Sequence, residues 1–194
     1  MWKLLGLVLA LSSQLVFAEV PTMPLSEEVD KNFDADVKNA VRQLNERREY
    51  QNKYGEVRTR GFLDKEGNTN PVSMTYVFPN TEKPIFSNHV MISDDSISFY
   101  FPHVECDTSN VSRETRIIIR EQPIKVYTGC TYLEEGKGSK LLTVIPATTK
   151  GMEYILNQFR DNIHVIVEVL GHKEFYFDTN NFGEAWKKYG NAAL

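Results

Sequence analysis

The sequence predicts an α+β domain in which a mainly antiparallel β-sheet forms a sandwich or a partly open barrel. Near the start, apolar residues recur every three or four positions, which is typical of an amphipathic helix. Between residues 57 and 145, short segments alternate apolar and polar residues and are separated by turn-forming residues. Because short links join sequential strands, antiparallel pairing is favoured, and two short helices are expected near the C-terminus.

The first predicted element is a long helix over residues 26–53. Ser26 can cap its N-terminus, and Gly55 is a stop signal beyond its end. This helix could pack on its own sheet or dock with a partner, including a second copy in a homodimer. Its apolar face comprises Leu25, Val29, Phe33, Val37, Ala40, Val41 and Leu44.

About seven strands are expected next. Asp94, Asp95 and Ser96 indicate the turn of a hairpin, and in its second arm Ile97, Phe99 and Phe101 share one face. The predicted strands cover residues 57–63, 72–78, 85–92, 97–101, 113–120, 124–132 and 141–145.

The C-terminal part predicts a helix, two strands and a last helix. Thr149 could cap the first of these helices. Residues 163–169 form the clearest strand, and Gly171 marks a turn into a strand over residues 174–177. Asp178 or Thr179 could cap the last helix, whose apolar face comprises Phe182, Ala185, Trp186 and Tyr189.

The first eighteen residues have the pattern of an export signal. A short basic start is followed by an apolar run and by small or aliphatic residues before position 19, so cleavage is expected between Ala18 and Glu19. An uncleaved N-terminal anchor is the alternative, although the run is short for a membrane span. Residues 19–25 then form an extended leader and residues 26–194 a single domain. The expected location is the periplasm or the extracellular space, with no later membrane span.

Composition excludes one class of partner. The chain has 194 residues, a formal net charge of −4 and a calculated pI near 5.6. Nucleic-acid binding relies on a basic surface that neutralises phosphates, so this acidic chain is not expected to bind nucleic acid.

Two cysteines, Cys106 and Cys130, lie in the predicted mature chain. An even cysteine count in an exported protein favours a disulfide bond, and two cysteines allow one intramolecular pairing. A catalytic or metal-binding thiol is the alternative, but there is no Cys-x-x-Cys motif.

The densest polar cluster surrounds the first cysteine. At strand spacing, His103, Glu105 and Asp107 would point to one side and could hold a metal ion. A polar strand end that runs into a loop explains the same pattern, so neither a metal nor another cofactor is expected.

A second cluster lies on the clearest strand, where His164, Ile166 and Glu168 share one face. A histidine and a carboxylate could perform acid–base chemistry, with His172 just beyond the turn. The favoured interpretation is a solvated outer face of the sheet.

Several other residues are weak candidates for binding. Arg116 and Arg120 form a basic strip that could receive a carboxylate or an acidic surface, and the favoured alternative is pairing with neighbouring acids or solvation. Tyr100 and Tyr176 stand at the centres of aromatic triplets and could be exposed at a partner surface, or pack within the sheet. Asn110 begins an Asn-x-Ser glycosylation motif, which matters only in a eukaryotic secretory host.

These observations favour an exported, non-enzymatic binding or accessory protein that acts through protein–protein contacts. The expected contact surfaces are the 26–53 helix and an exposed sheet face. One alternative is a small hydrolase or metal-dependent enzyme that uses His103, Glu105 and Asp107, or His164 and Glu168. Another is a carrier of a small molecule or lipid.

Overall fold

A computed structural model describes residues 27–79, 86–93, 95–102, 104–106, 112–132, 140–169 and 173–190. The predicted signal segment 1–18, its cleavage point between Ala18 and Glu19, and the leader 19–25 lie outside the described residues.

The described residues form three helices and nine strands, in the order that the sequence predicts. One long helix precedes seven strands, and a helix, two strands and a final helix follow. The fold is therefore α+β, as predicted. The elements are α1 (Glu27–Tyr54), β1 (Glu56–Leu63), β2 (Thr69–Phe78), β3 (Phe86–Ser93), β4 (Ser96–Pro102), β5 (Arg113–Ile119), β6 (Gln122–Tyr132), β7 (Lys140–Pro146), α2 (Thr149–Asp161), β8 (His164–Val169), β9 (Lys173–Asp178) and α3 (Phe182–Tyr189).

All nine strands belong to one antiparallel sheet, in the order β1-β2-β3-β4-β7-β6-β5-β8-β9. The sheet curls until its last strand lies close to β2 and β3. The Ser73 hydroxyl donates to the carbonyl of Asp178 over 2.7 Å, and the Asn88 amide donates to the carbonyl of Tyr176 over 2.9 Å. These side-chain bonds join the two ends of the sheet into a nearly closed barrel.

The interior of the barrel is filled by aromatic and branched side chains. Phe159 on α2 has its ring centroid 6.0 Å from that of Phe99 and 5.4 Å from that of Phe182 on α3. The Thr148 hydroxyl accepts from the backbone N–H of Gly151 and caps α2, where Thr149 was expected to be the cap. Both C-terminal helices thus place their apolar faces in the same core as β4, β5 and β8.

Cys106 and Cys130 form a disulfide bond, with 5.9 Å between their Cα atoms. Cys106 follows β4 and Cys130 lies within β6, so the bond connects two parts of the sheet that β7 separates in the strand order. The Lys140 ammonium group at the start of β7 also donates to the carbonyl of Cys106, over 2.6 Å. A disulfide of this kind fits an oxidising compartment.

None of the described helices is long and apolar enough to cross a membrane.

Candidate functional site

Residues 39–54 of α1 pack on the sheet through polar and aromatic side chains, not through Val41 and Leu44. Gln43 and Tyr50 are buried on the packed side. The Gln43 side-chain oxygen accepts from the backbone N–H of Ile163 over 2.7 Å, and the Tyr50 hydroxyl donates to the carbonyl of Glu174 over 3.1 Å. These contacts fix the helix from Asn39 to Tyr54 on the outer face of β8 and β9.

Glu46 lies at the centre of this packed side and attracts two arginines. Its two carboxylate oxygens each accept from the Arg120 guanidinium at 3.2 Å, which is a bidentate pair across elements 74 residues apart. Within the helix, Arg42 donates to the same carboxylate over 2.6 Å. Because both partners in the bidentate pair are partly buried, it is screened less than a surface ion pair.

His164 lies beneath α1 and is fully buried. Its ring stacks on Tyr176, with centroids 4.8 Å apart and planes at 18°, and its Nε2 is 3.3 Å from Glu46 Oε2. Neither ring nitrogen makes a hydrogen bond within the described part of the chain. Burial is the main cause that lowers the pKa of His164 to about 4, and the positive charges of the nearby Arg47 and Arg42 contribute to the same shift. The ring is therefore neutral at physiological pH.

The turn between β5 and β6 has an unusual composition. Arg120 and Glu121 both adopt left-handed backbone conformations, with φ of 48° and 64°, and link Ile119 to its strand partner Gln122. Two-residue hairpin turns of this kind favour Asn-Gly, because L side chains are strained at positive φ. One of the two strained residues, Arg120, is also the residue whose guanidinium binds Glu46.

A cavity of about 250 Å³ adjoins this network. Glu168 and Glu174 are direct cross-strand partners, and Glu174 accepts from Lys53 on α1 at 3.1 Å. The lining therefore combines an apolar floor with several carboxylates and one guanidinium. Its residues are Glu46, Ile118, Arg120, Glu121, Ile166, Glu168 and Glu174.

The structure corrects the expectation that His164 lies on a solvated sheet face, because α1 covers this part of the sheet. His164 and Glu168 do share one face of β8, but they are four residues apart. At strand spacing their Cα atoms are separated by roughly 13 Å, so the two groups do not converge on one reacting atom.

The two tyrosine candidates occupy different environments. Tyr176 is buried between His164 and Tyr50, so it packs within the fold and is not an exposed contact residue. Burial is also the main cause that raises its pKa to about 12. Tyr100 is partly exposed on the outer face of β4 and stacks on His89 of β3, with centroids 4.9 Å apart.

The two arginine candidates also differ in their surroundings. Arg116 is exposed on the outer face of β5, whereas Arg120 is held by Glu46. Glu114, a neighbouring acid on the same strand, pairs with Lys125 at 3.1 Å and not with Arg116 or Arg120. The strip therefore does not present two free guanidinium groups.

The cluster near the first cysteine is only partly described. His103, Asp107 and the glycosylation candidate Asn110 lie outside the described residues, and Glu105 is exposed. Among the residues that the structure does describe, no three His, Cys, Asp or Glu side chains are close enough to hold a metal ion.

Two apolar side chains in the second half of α1, Val41 and Leu44, are not covered by the described chain. Val41 and Leu44 retain 52% and 60% of their side-chain exposure. Ile163, whose backbone binds Gln43 on the same helix, retains 55%. The expectation that the apolar face of the helix would pack on its own sheet is therefore wrong for Val41 and Leu44.

Sequence reasoning missed the side of α1 that holds the helix in place. Gln43, Glu46, Tyr50 and Tyr54 follow one another at spacings of three or four residues, which is the same periodicity as the apolar face. Polar and aromatic residues at this spacing are typical of a solvated helix face, so the sequence pattern alone does not identify this side as the packed one.

No protein-family model, curated protein or solved structure matches this chain.

Proposed function

We propose that this chain is an exported, non-enzymatic accessory protein that acts through protein–protein contacts, with α1 as its main contact surface. The observation that carries the proposal is the orientation of α1. The helix is held by Gln43, Glu46 and Tyr50, and it leaves Val41 and Leu44 in solvent.

This orientation is costly unless a partner covers the apolar side. Val41 and Leu44 each retain more than half of their exposure, so each forgoes roughly 1 kcal/mol of burial free energy. On the side opposite Val41 and Leu44, the helix buries polar groups that need specific hydrogen bonds. Hydrogen bonds and an ion pair therefore hold this helix on its own domain, and its exposed apolar side chains remain available to contact another molecule.

Two features support action outside the cytoplasm. The Cys106–Cys130 disulfide fits an oxidising compartment. The N-terminal sequence, with its basic start, apolar run and Ala18-Glu19 junction, has the pattern of a cleavable export signal. Periplasmic or extracellular location belongs to the proposal.

The proposal is tested by affinity capture from the native envelope and extracellular fractions. Wild-type protein is compared with a Val41→Glu/Leu44→Glu double variant, which places charge on the exposed side of α1. A Lys187→Glu variant, at an exposed position of α3 and with the same change in net charge, serves as the matched control.

We expect one or more proteins to bind the wild type and the control, and not the double variant. The purified partner should reproduce this order of affinities. Equal capture by all three forms would reject α1 as the contact surface. Loss of a hydrolytic activity on His164→Phe, or bound metal in purified protein, would instead favour an enzyme.

A further inference from the structure

We infer that residues 39–54 of α1 form an acid-sensitive cover, which protonation of His164 releases from the outer face of β8 and β9 while the barrel stays folded. The inference goes beyond the proposed function, because it concerns how α1 is attached and not what α1 contacts. Three observations support it: the burial of His164, the charges that face its ring, and the separation of the helix contacts from the barrel core.

His164 faces the outer side of the sheet but has no exposure to solvent. Val165 and Val167 belong to the core inside the barrel, so the alternation along β8 turns His164 away from that core. The ring is covered by α1, because the Glu46 carboxylate lies 3.3 Å from its Nε2 and Gln43 binds the adjacent backbone. Solvent can therefore reach the ring when this part of the helix moves away.

A protonated His164 finds little compensation in this position. Both ring nitrogens then donate, and neither forms a hydrogen bond within the described part of the chain. The nearest carboxylate, that of Glu46, already accepts from Arg120 and Arg42. Arg42 and Arg47 on the helix also oppose a positive charge on the ring. A buried charge without partners is costly, so the protonated ring favours contact with water.

The groups that face His164 from β9 are neutral or already have other partners. The direct strand partner of His164 is Asp178, whose carboxylate accepts from the Thr59 hydroxyl and from the backbone N–H of Asn180. Tyr176 stacks on the ring and is neutral, because burial is the main cause that raises its pKa to about 12. Protonation of the ring therefore acts on the attachment of the helix.

Residues 39–54 can leave the sheet without opening the barrel. Tyr50 packs in a small apolar cluster with Val57, Val77 and Tyr176, which is separate from the core inside the barrel. Among the residues that the structure describes, none from this range belongs to the barrel core. Most other contacts of the range are hydrogen bonds and ion pairs. Elements with few buried apolar contacts open locally at a lower cost than the whole domain unfolds.

The expected size of the effect follows from the two states of the histidine. His164 has a pKa of about 4 beneath the helix, whereas a solvated histidine titrates near 6.5. The released form therefore binds the proton more tightly, and the equilibrium constant for release should rise about twentyfold between pH 7 and pH 5. Most carboxylates remain ionised in this interval, so the change reports chiefly on the histidine.

Hydrogen exchange followed by mass spectrometry tests the inference on the protein produced with its own N-terminus. Amide protection is measured at pH 7, 6 and 5, and the exchange rates are corrected for their intrinsic dependence on pH. A helix without tertiary contacts is marginal in water, so the amides of residues 39–54 exchange upon release. We expect their protection to fall about twentyfold across this interval, relative to peptides from β4 and β7.

Histidine variants separate His164 from general effects of acid. His164→Phe keeps a ring that can stack on Tyr176 but does not titrate, so this protection ratio should stay within about twofold between pH 7 and pH 5. His164→Gln is a second variant that does not titrate, with the same expected result. His89→Phe is the matched control, because His89 also stacks on a tyrosine, Tyr100, but lies on β3, outside the contacts that hold α1. It should keep the fall of the wild type.

Three results would overturn the inference. One is a wild-type protection ratio that does not change between pH 7 and pH 5. Another is an equal fall in the helix and in the barrel, which would mean global unfolding. These two results need no variant, so they decide the matter even if the His164 variants do not fold. The third is a fall of the same size in both His164 variants. Capture of a partner at neutral pH is a separate measurement, so the proposed function stands or falls independently.

Discussion

His164 and Glu46 meet beneath α1, with 3.3 Å between the histidine Nε2 and the carboxylate Oε2. Proximity to a carboxylate favours a protonated imidazole, but full burial and the neighbouring Arg42 and Arg47 outweigh it. The consequence is a neutral histidine at a junction that is otherwise built from charges. This junction holds α1 on the sheet, so its protonation state affects how firmly the helix is attached.

Acid should destabilise the protein through His164. Its pKa is about 4 in the folded state and near 6.5 when unfolded, so between these values the unfolded state binds the additional proton. Stability is fully present above pH 6.5 and is lost as the pH falls towards 4. The loss should reach about 3 kcal/mol, since one pKa unit corresponds to 1.36 kcal/mol. Urea unfolding at a series of pH values measures it.

His164→Phe is the control for this pH dependence, because phenylalanine can stack on Tyr176 but does not titrate. Carboxylates titrate in the same range in both proteins, so the informative quantity is the difference between their unfolding free energies. A difference that stays constant from pH 7 to about pH 4 would contradict a neutral buried His164.

Removing the Glu46 carboxylate should loosen α1. In Glu46→Ala, the Arg120 guanidinium loses both acceptors while it remains partly buried. We expect a cost of about 1–3 kcal/mol, which is the usual penalty for a charged donor left without its partner. Chemical denaturation measures the loss, and proteolysis should cut first within α1. Glu49→Ala, an exposed position on the same helix, should change stability by less than about 0.5 kcal/mol.

The strained hairpin turn predicts a stabilising substitution. Glu121 has φ of 64°, where glycine has no steric penalty. Glu121→Gly should therefore stabilise the fold by about 0.5–1 kcal/mol, after the added entropy of the unfolded chain offsets part of the gain. Thermal unfolding followed by circular dichroism measures the shift. Gln122→Gly, one position further and within β6, should be destabilising, and equal effects at both positions would refute the explanation.

The disulfide should contribute substantially to stability. Cys106 and Cys130 are 24 positions apart, and a crosslink over such a loop is worth about 3 kcal/mol in the chain-entropy description. Reduction, or the Cys106→Ser/Cys130→Ser variant, should lower the unfolding free energy by about this amount. Intact mass before and after reduction, under denaturing conditions, should differ by two hydrogens. A wild type that shows no mass change on reduction would mean that the bond does not form.

The sheet could be predicted from sequence because strand periodicity reports directly on burial. Ile97 and Phe99 stand on either side of a polar residue, Ser98, and both face the core. On β8, Val165 and Val167 also recur at every second position and face the core. The packing of α1 could not be predicted in the same way. Its buried side contains Gln43 and Tyr50, and its exposed side contains Val41 and Leu44, so hydrophobicity alone assigns the two sides in reverse. What decides the orientation is a set of long-range hydrogen bonds to Ile163, Glu174 and Arg120, which no local pattern contains.

Two glycines with positive φ should differ in how well they tolerate substitution by alanine: one lies at the bulge in β1, and the other lies in the turn that follows β1. Gly61 and Gly67 both have positive φ, at 54° and 85°. A Cβ at Gly61 would lie 2.8 Å from the carbonyl oxygen of Asn180, whereas one at Gly67 would have no neighbour within 4 Å. That carbonyl also accepts from the Phe62 N–H over 2.9 Å, so it cannot move without loss of a backbone bond.

Gly67→Ala should lower the free energy of unfolding by about 1–2 kcal/mol, which is the conformational cost of placing an L residue in the left-handed region. Gly61→Ala adds a clash with the backbone, so it should lower the free energy of unfolding by about 3 kcal/mol or more, which is the range of severe single substitutions. Urea unfolding of both variants beside the wild type measures the two costs. Because the left-handed penalty is common to both, the difference between them isolates the contact with Asn180. Equal losses would show that β1 can move away from the turn after β9, and that the Phe62–Asn180 bond does not fix its position.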